Sequence, residues 1–473
     1  MMIINRRDFL GGAFAACGGL ILPTDAFADG MPNLRFGVVS DVHIGAETTE
    51  HAVDTPKRLE KALRWFDTQH VDAIMVPGDI AHAGLISQLE NFASIWDRVF
   101  PGGRGTDGRV VERLFVTGNH DVAAHWVKGT PEWRTAKVFN HGANLRLVWE
   151  RLFHEEWKLV WKKVIKGYAF VGSQWSTNTI KPNIEKWFSE HGDELKGSKP
   201  FFYVQHAHPK GTCGGDKISY DNGEATRALA SFSNAIAFSG HSHQTLTDET
   251  SVWQGAFTSI NAGCIRSGAN DRWHEGYDSI FPFFSAKRKQ NRMKPLDGGN
   301  GGCGLLVDVF DDHLVVQRRS FVDDMPLGPD WRIAIPAKVG GMYDPHRQKM
   351  ESVGPAFSPS AKLVVERRTE TPKEIAGPML AGKPCVWLKI PHPRTIKQGS
   401  RVYDFEVILK VDGMIKQKRL VLAKGFNLPE SRADCLSDCL FGVEEVPLSG
   451  KVVFEVRPRN SFGVAGRAIV ASL

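Results

Sequence analysis

The sequence predicts a layered α/β domain followed by a small all-β sandwich domain, and two patterns carry that expectation. Between Leu34 and about Pro336, short apolar runs stop at polar or glycine clusters, and helical periodicity lies between several of them. Continuous apolar runs suit strands buried on both faces, and their alternation with helices marks an α/β sheet protein. Beyond about residue 360 the pattern changes to apolar/polar alternation without helical stretches, as in a β-sandwich. Composition agrees with a folded, multidomain chain. The 473 residues are 42% hydrophobic and 24% charged, with no long run of one sign, which excludes a disordered, collagen-like or coiled-coil chain. Lys and Arg outnumber Asp and Glu by 59 to 53, a net charge of +6 too diffuse to indicate a nucleic-acid binder, so no stable nucleic-acid partner is expected. No uninterrupted apolar stretch reaches the roughly 18 residues of a membrane span, so none is expected.

Taken in order, the chain opens with a targeting segment, residues 1–28. Asn5-Arg6-Arg7-Asp8-Phe9-Leu10 sets a twin arginine before a mostly apolar stretch, Phe9 to Leu22. Pro23 breaks that stretch, and Ala26-Phe27-Ala28 supplies a small-x-small cleavage pattern. The arrangement resembles a twin-arginine (Tat) export signal cleaved before Asp29. A lipobox at Phe14-Ala15-Ala16-Cys17 competes with it, but Phe14 is a poor residue there. The resemblance implies a passage through the Tat export machinery and a periplasmic or secreted location. That route carries folded proteins and suits one that takes up a cofactor before export. Cys213, Cys264, Cys303, Cys385, Cys435 and Cys439 remain after cleavage, too sparse for a disulfide scaffold. Cys435 and Cys439 are the closest pair and lack the partners of a zinc site.

Residues 29–336 form the α/β domain. Leu34-Arg35-Phe36-Gly37-Val38-Val39 ends at Ser40-Asp41, Ala73-Ile74-Met75-Val76 at Pro77-Gly78-Asp79, and Leu114-Phe115-Val116 at Thr117-Gly118-Asn119-His120. Phe201-Phe202-Tyr203-Val204 ends at Gln205-His206, and Ala235-Ile236-Ala237-Phe238 at Ser239-Gly240-His241. Helices are expected over Pro56 to Thr68 and Asn144 to Trp157, and a closing hairpin across Asp311-Asp312. Residues 337–359, rich in Gly and Pro and without periodicity, read as a linker, and 360–473 as the β-sandwich. Within it, the closing stretch Leu448 to Arg467, with Val456-Arg457-Pro458-Arg459-Asn460-Ser461-Phe462-Gly463, resembles the last strands of a fibronectin type III-like domain.

The residues at the strand ends carry the chemistry. Asp41-Val42-His43, Gly78-Asp79, Gly118-Asn119-His120-Asp121, His206 and Gly240-His241-Ser242-His243 offer carboxylate, imidazole and amide groups without thiolate. That mixture suits borderline metals such as Mn, Fe, Zn or Co. A carboxylate bridging two such cations, about 3.5–4 Å apart, would clamp a phosphate and generate hydroxide at neutral pH.

Asp-x-His, Gly-Asp, Gly-Asn-His-Asp, a strand-end His and Gly-His-x-His occur here in the order found in calcineurin-like metallophosphoesterases, which the segment Leu34 to Phe321 resembles throughout. The resemblance implies that family's fold, a β-sandwich core flanked by helices, and two divalent or trivalent metal ions, Mn, Fe or Zn. One metal would take Asp41, His43, His243 and the bridging Asp79; the second would take Asp79, Asn119, His206 and His241. Metal-bound hydroxide would attack a small-molecule phosphate ester, with His120 as general acid to the leaving oxygen. Asp121 orients a neighbouring imidazole or caps a helix. The sequence departs from the family's pattern twice. His82 stands three residues after Asp79, where many relatives have a carboxylate supporting the catalytic His. Either another group orients His120, or His82 helps to bind substrate. The strand-end histidine could be His206 or His208; His206 is preferred because it directly ends the apolar run.

Substrate-binding residues are not legible. The irregular stretch Cys264 to Cys303 carries Arg266, Arg272, Trp273, Lys287-Arg288-Lys289 and Arg292, and its position makes it a candidate substrate cover; Trp126, Trp133 and Trp175 could line the cleft. The leading expectation is an exported metal-dependent phosphoesterase, with a phosphodiester favoured. A phosphomonoesterase, nucleotidase or nuclease is the alternative, and an envelope-binding protein with an idle catalytic domain is the third reading.

Overall fold

The computed structural model describes residues 30–45, 54–123, 131–134, 137–140, 144–175, 181–213, 221–266, 292–293, 302–395 and 400–473. The expected signal segment and most of the expected substrate cover, with Trp126, lie outside these residues. The chain divides into two units, Met1–Pro32 and Asn33–Leu473; everything below concerns the second.

In chain order the strands of the α/β part are β1 (Leu34–Val38), β2 (Ala73–Pro77), β3 (Glu112–Val116), β4 (Val160–Ile165), β5 (Tyr168–Ser173), β6 (Phe201–Val204) and β7 (Ala235–Ser239). They continue as β8 (Val252–Gln254), β9 (Thr258–Asn261), β10 (Cys303–Val309), β11 (His313–Ser320), β12 (Met325–Pro326) and β13 (Trp331–Ala334). One sheet runs β12-β11-β10-β1-β2-β3, with β13 on β11; the other runs β4-β5-β6-β7-β9-β8. Both are mixed. β1, β2 and β3 are parallel to one another, as are β5, β6, β7 and β9, while β10 pairs antiparallel with β1, β4 with β5, and β8 with β9. The expected hairpin is β10–β11.

The two sheets pack face to face. Leu34, Phe36 and Val38 of β1 share one buried cluster with Phe170, Phe202, Phe238 and Ile260 of the opposite sheet. Phe36 is the pivot, with its ring edge-to-face on Phe170, Phe202 and Phe238 at 5.5, 5.0 and 5.6 Å. That geometry suits the positive edge and negative face of aromatic rings. Since each inner strand is covered on both sides, its sequence is apolar throughout, which is why the runs were continuous rather than alternating.

Helices cover the outer faces. The helices are α1 (Thr55–Thr68), α2 (Ile86–Val99), α3 (Asn119–Ala123), α4 (Pro131–Arg134), α5 (Asn144–Phe153), α6 (Ile184–His191) and α7 (Glu224–Leu229), with α8 (Pro345–Glu351) after the second sheet. Leu59, Leu63 and Phe66 of α1, with Leu89, Phe92 and Trp96 of α2, follow the i, i+3, i+4, i+7 spacing and pack with α5 against the first sheet. Asp54 caps α1 by accepting from the Lys57 N–H, and Pro56 fits the first turn. α5 stops at Phe153, four residues short of the expected Trp157, whose ring packs instead on Trp149 at 5.0 Å.

The C-terminal part is all-β. Its strands are β14 (Val364–Arg368), β15 (Cys385–Ile390), β16 (Asp404–Val411), β17 (Met414–Leu422), β18 (Ser437–Gly442), β19 (Val452–Arg459) and β20 (Ile469–Ser472). They form a three-stranded sheet, β14-β15-β18, and a four-stranded sheet, β17-β16-β19-β20. Val386, Leu388 and Phe441 of the first meet Phe405, Val407, Phe454 and Val456 of the second in one core. The stretch 337–359, read as a linker, contains α8 and is followed without a break by the β-region.

Candidate metal centre

All seven residues expected as metal ligands stand at one end of the paired sheets, beyond the carboxyl ends of parallel strands β1, β2, β3, β6 and β7. In an α/β sheet the loops at those ends are where side chains from several strands can converge. The local backbone explains how. Past β1 and β2 the chain continues as a parallel pair, with Asp41 N–H donating to the Gly78 carbonyl at 3.2 Å and His43 N–H to the Asp79 carbonyl at 2.9 Å. Asp41, His43, Asp79, His241 and His243 all have φ between 50° and 64°. This left-handed conformation is unusual for residues other than glycine, although Asp and His tolerate it better than branched side chains. Strain of this kind concentrates at functional sites.

Two glycines are required by close approach. A Cβ on Gly118 would collide with the Asp79 carboxylate and backbone, and a Cβ on Gly240 with Ser40 Oγ and the Asp41 carboxylate. The Gly-Asn-His and Gly-His-x-His patterns therefore need Gly to let one strand end pass over the carboxylate of another.

The side chains gather at two points that share Asp79. At the first, His43 Nε2 lies 3.1 Å from His243 Nε2 and 3.6 Å from Asp79 Oδ2, while His243 Nε2 lies 3.0 Å from Asp41 Oδ1. At the second, His206 Nε2 lies 3.2 Å from Asp79 Oδ2, 3.0 Å from Asn119 Oδ1 and 3.1 Å from His241 Nδ1. Asp79 Oδ2 is common to both, and its Oδ1 accepts the His120 N–H at 2.8 Å. His206 rather than His208 reaches this point, because its Nδ1–H donates to the Pro77 carbonyl at 2.7 Å and turns Nε2 inward.

The electrostatics fit cations. Asp41, His43, Asp79, His206 and His243 are buried. Burial, with the nearby charges of His120 and His243, pushes His43 well below the usual imidazole range. Burial and His206 do the same to His241. Burial opposes the charge on Asp79, but His206 and His120 hold its carboxyl far below the usual carboxylate range. Conversely, the Asp79 carboxylate lifts His206 to about 9 against burial. Several imidazole lone pairs and carboxylate oxygens thus crowd to 3.0–3.6 Å around two points with few protons to share. This donor set satisfies a pair of metal ions; Asn119 adds a neutral oxygen.

His120 stands beside the first point, its ring 4.5 Å from that of His43. Its Nδ1–H donates to the His82 carbonyl at 2.6 Å, which fixes the ring. That answers the first departure noted in the sequence: a backbone carbonyl takes the place of the carboxylate. The His82 ring stacks on His120 at 5.4 Å, and its Nδ1 lies 3.4 Å from His43 Nδ1. Asp121 neither orients an imidazole nor caps α3 from outside. Its oxygens accept the N–H groups of Gly118, Ala81 and Ile80, tying the ends of β2 and β3 together. Burial and the Asp79 charge push it up to about 7.

Residues 34–245 match the calcineurin-like phosphoesterase family. They form a calcineurin-like phosphoesterase domain. The protein is accordingly a hydrolase, with an additional β-region at its carboxyl end. Among solved structures, a dimetal phosphatase from Danio rerio is 11% identical, covering 64% of this chain and 99% of its own, with a TM-score of 0.38. A purple acid phosphatase from yellow lupin (Lupinus luteus) seeds is 12% identical, covering 65% and 55%, with a TM-score of 0.40. No curated protein matched the chain. The buried His and Asp groups of the phosphoesterase domain fit a metal site typical of its family.

Three contributors escaped the sequence reading. The carbonyls of Pro77 and His82 orient His206 and His120, and a backbone acceptor leaves no trace in side-chain identity. The third is Gln174, which follows β5 and accepts from the Thr117 N–H and hydroxyl at 2.8 and 3.0 Å. The run Tyr168 to Gly172 ending at Ser173-Gln174 repeats the pattern of the other site strands and could have revealed it. Arg266 was noted only as part of the cover; it is buried, its N–H donates to the Asp41 carbonyl at 3.1 Å, and its charge acts on His43.

Proposed function

We propose that the phosphoesterase domain hydrolyses a phosphodiester at a dinuclear centre. Asp41, His43, Asp79 and His243 would hold one metal, and Asp79, Asn119, His206 and His241 the other. The observation that carries the reading is Asp79 Oδ2, 3.6 Å from His43 Nε2 and 3.2 Å from His206 Nε2, the position of a bridging carboxylate. Bound cations would neutralise charge on the phosphoryl oxygens and lower the pKa of water. The chain's own residues do the rest. Pro77 orients His206 through Nδ1, Asp79 stays ionised, and His120, held by His82, donates from Nε2 to the departing oxygen. The amino-terminal twin-arginine segment supports an exported protein, periplasmic or secreted, that meets the Tat machinery on the way. The three-plus-four arrangement of the C-terminal strands supports the fibronectin type III-like reading.

The test is metal content together with turnover. Protein reconstituted with Mn²⁺ is expected to hold two ions per chain by plasma mass spectrometry and to cleave bis(p-nitrophenyl) phosphate faster than p-nitrophenyl phosphate. Asn119→Ala is expected to lose one ion and at least about a hundred-fold in kcat, the scale of one electrostatic contact to the transition state. A monoester preference would replace the diesterase reading with a phosphatase or nucleotidase, and a single ion in the native protein would overturn the dinuclear assignment.

A further inference from the structure

A recess of about 300 Å³ opens beside His206, and Gln174, Trp175, Gln205, Asp221 and Glu224 are among the residues that line it. The size is at the lower end for a small-ligand pocket. Three features give it a chemical character. The first is Gln174, only 3% exposed, whose Oε1 is held by Thr117; its amide N–H₂ donates to no described residue. The second is a pair of carboxylates, neither of them in a direct ion pair among the described residues. Asp221 accepts the Gly223 N–H at 2.7 Å, and Glu224 accepts from Asn222 Nδ2 at 3.1 Å. Arg227, whose charge acts on both, is paired with Glu185, and the exposed Lys181 also lines the recess. Burial raises the Asp221 pKa against hydrogen bonds from Gly223 and Gln205. The third is the indole of Trp175, 5.6 Å from His241 and 5.4 Å from His206, which brings an aromatic wall to the metal centre.

An aromatic wall beside two carboxylates that are in no direct ion pair favours an organic cation, while a buried amide N–H₂ favours an oxygen acceptor. Building on the dinuclear reading, we propose that the recess binds the alcohol that stays on phosphorus and that this alcohol carries an ammonium group: the substrate is a phosphodiester of an amino alcohol. His120 lies beside His43 and the recess beside His206, so the leaving oxygen is assigned to the His43 point and the retained substituent to the His206 point. Gln174 Nε2 donates to an ester or phosphoryl oxygen, Trp175 and Asp221 hold the cation, and Glu224 adds negative charge.

The test compares two esters of equal shape, p-nitrophenyl phosphocholine and the uncharged p-nitrophenyl 3,3-dimethylbutyl phosphate, using the full-length Mn²⁺-loaded protein. The wild type is expected to favour the cationic ester about ten-fold in kcat/KM, the scale of a desolvated cation–π and carboxylate contact. Asp221→Asn is expected to bring that ratio below about three with metal content unchanged. Calorimetry with phosphocholine and 3,3-dimethylbutyl phosphate reads the same preference without turnover. Equal affinity for the two phosphates, or an unchanged preference in Asp221→Asn, overturns the assignment of the recess. Selective binding of phosphocholine with no hydrolysis of either ester, or of bis(p-nitrophenyl) phosphate, instead sinks the catalytic reading and leaves the recess standing.

Discussion

At the scale of single residues, the proposed mechanism separates the atoms that would hold metal from the atoms that would move a proton. His120 is held by its own N–H on Asp79 Oδ1 and by Nδ1–H on the His82 carbonyl. Neither contact uses Nε2. His120→Ala is therefore expected to retain both metals and to lose about 10²–10⁴-fold in kcat on an ester with an alkoxide leaving group, the range of general acid catalysis. With p-nitrophenolate as leaving group, which needs little protonation, the loss is expected to be much smaller. Parallel measurement of metal content and of both substrates checks this; an equal loss on both would assign His120 to structure. The residues themselves were readable in advance because each side chain that converges on the centre terminates an apolar run. What was not readable is the set of groups that aim them. Replacing the family's carboxylate by His82 left the orientation of His120 open, and only the backbone path past β2 shows that a carbonyl performs it.

At the scale of elements, the site depends on how closely strand ends pass one another. The turn after β7 crosses directly over Asp41, whose oxygens accept the His241 N–H at 3.2 and 2.9 Å. A methyl group on Gly240 has no room there. Gly240→Ala is expected to displace His241 and His243 from Asp41, reducing bound metal and lowering kcat by at least about ten-fold. Core overpacking of this kind costs about 1–3 kcal/mol, so the protein should still fold. Native-like circular dichroism with depleted metal is the expected pair of observations; full metal content with unchanged rate would contradict it. The loop that follows is pinned from the other side. Arg318 of β11, buried at 1% exposure, donates to the Leu246 carbonyl and to Glu249, and Trp331 of β13 donates its indole N–H to Glu249. Strand periodicity was legible for β11 and β13, but a buried Arg–Glu pair joining strands about seventy residues away from the loop is a tertiary fact that no local pattern encodes.

For the whole molecule, the question is how the β-region and the phosphoesterase domain are joined. Arg401 of the β-region is buried and donates to the Leu327 carbonyl. Arg292, which precedes β10, makes a two-pronged contact with Glu445 at 2.9 and 2.6 Å, while Met293 packs with Leu380, Cys385 and Leu440. Arg419 of β17 reaches the same Glu445 at 2.6 Å, so one carboxylate neutralises two guanidinium groups. Burial alone would raise the Glu445 pKa, yet hydrogen bonding from Arg292 and the charge and hydrogen bond of Arg419 bring it down to about 2, from 4.5. A carboxyl depressed in the folded state stabilises above its unfolded pKa and loses that contribution as pH falls through its folded value. The joint is thus fully charged at neutral pH and weakens between about pH 4.5 and 2. Glu445→Gln, which leaves two cations together, is expected to lower urea stability by about 1–3 kcal/mol at pH 7. The gap from wild type is expected to shrink as pH drops from about 4.5 toward and below 2, as the wild-type carboxyl takes up its proton. A gap independent of pH over that range would show that packing, not the charged joint, couples the β-region to the phosphoesterase domain.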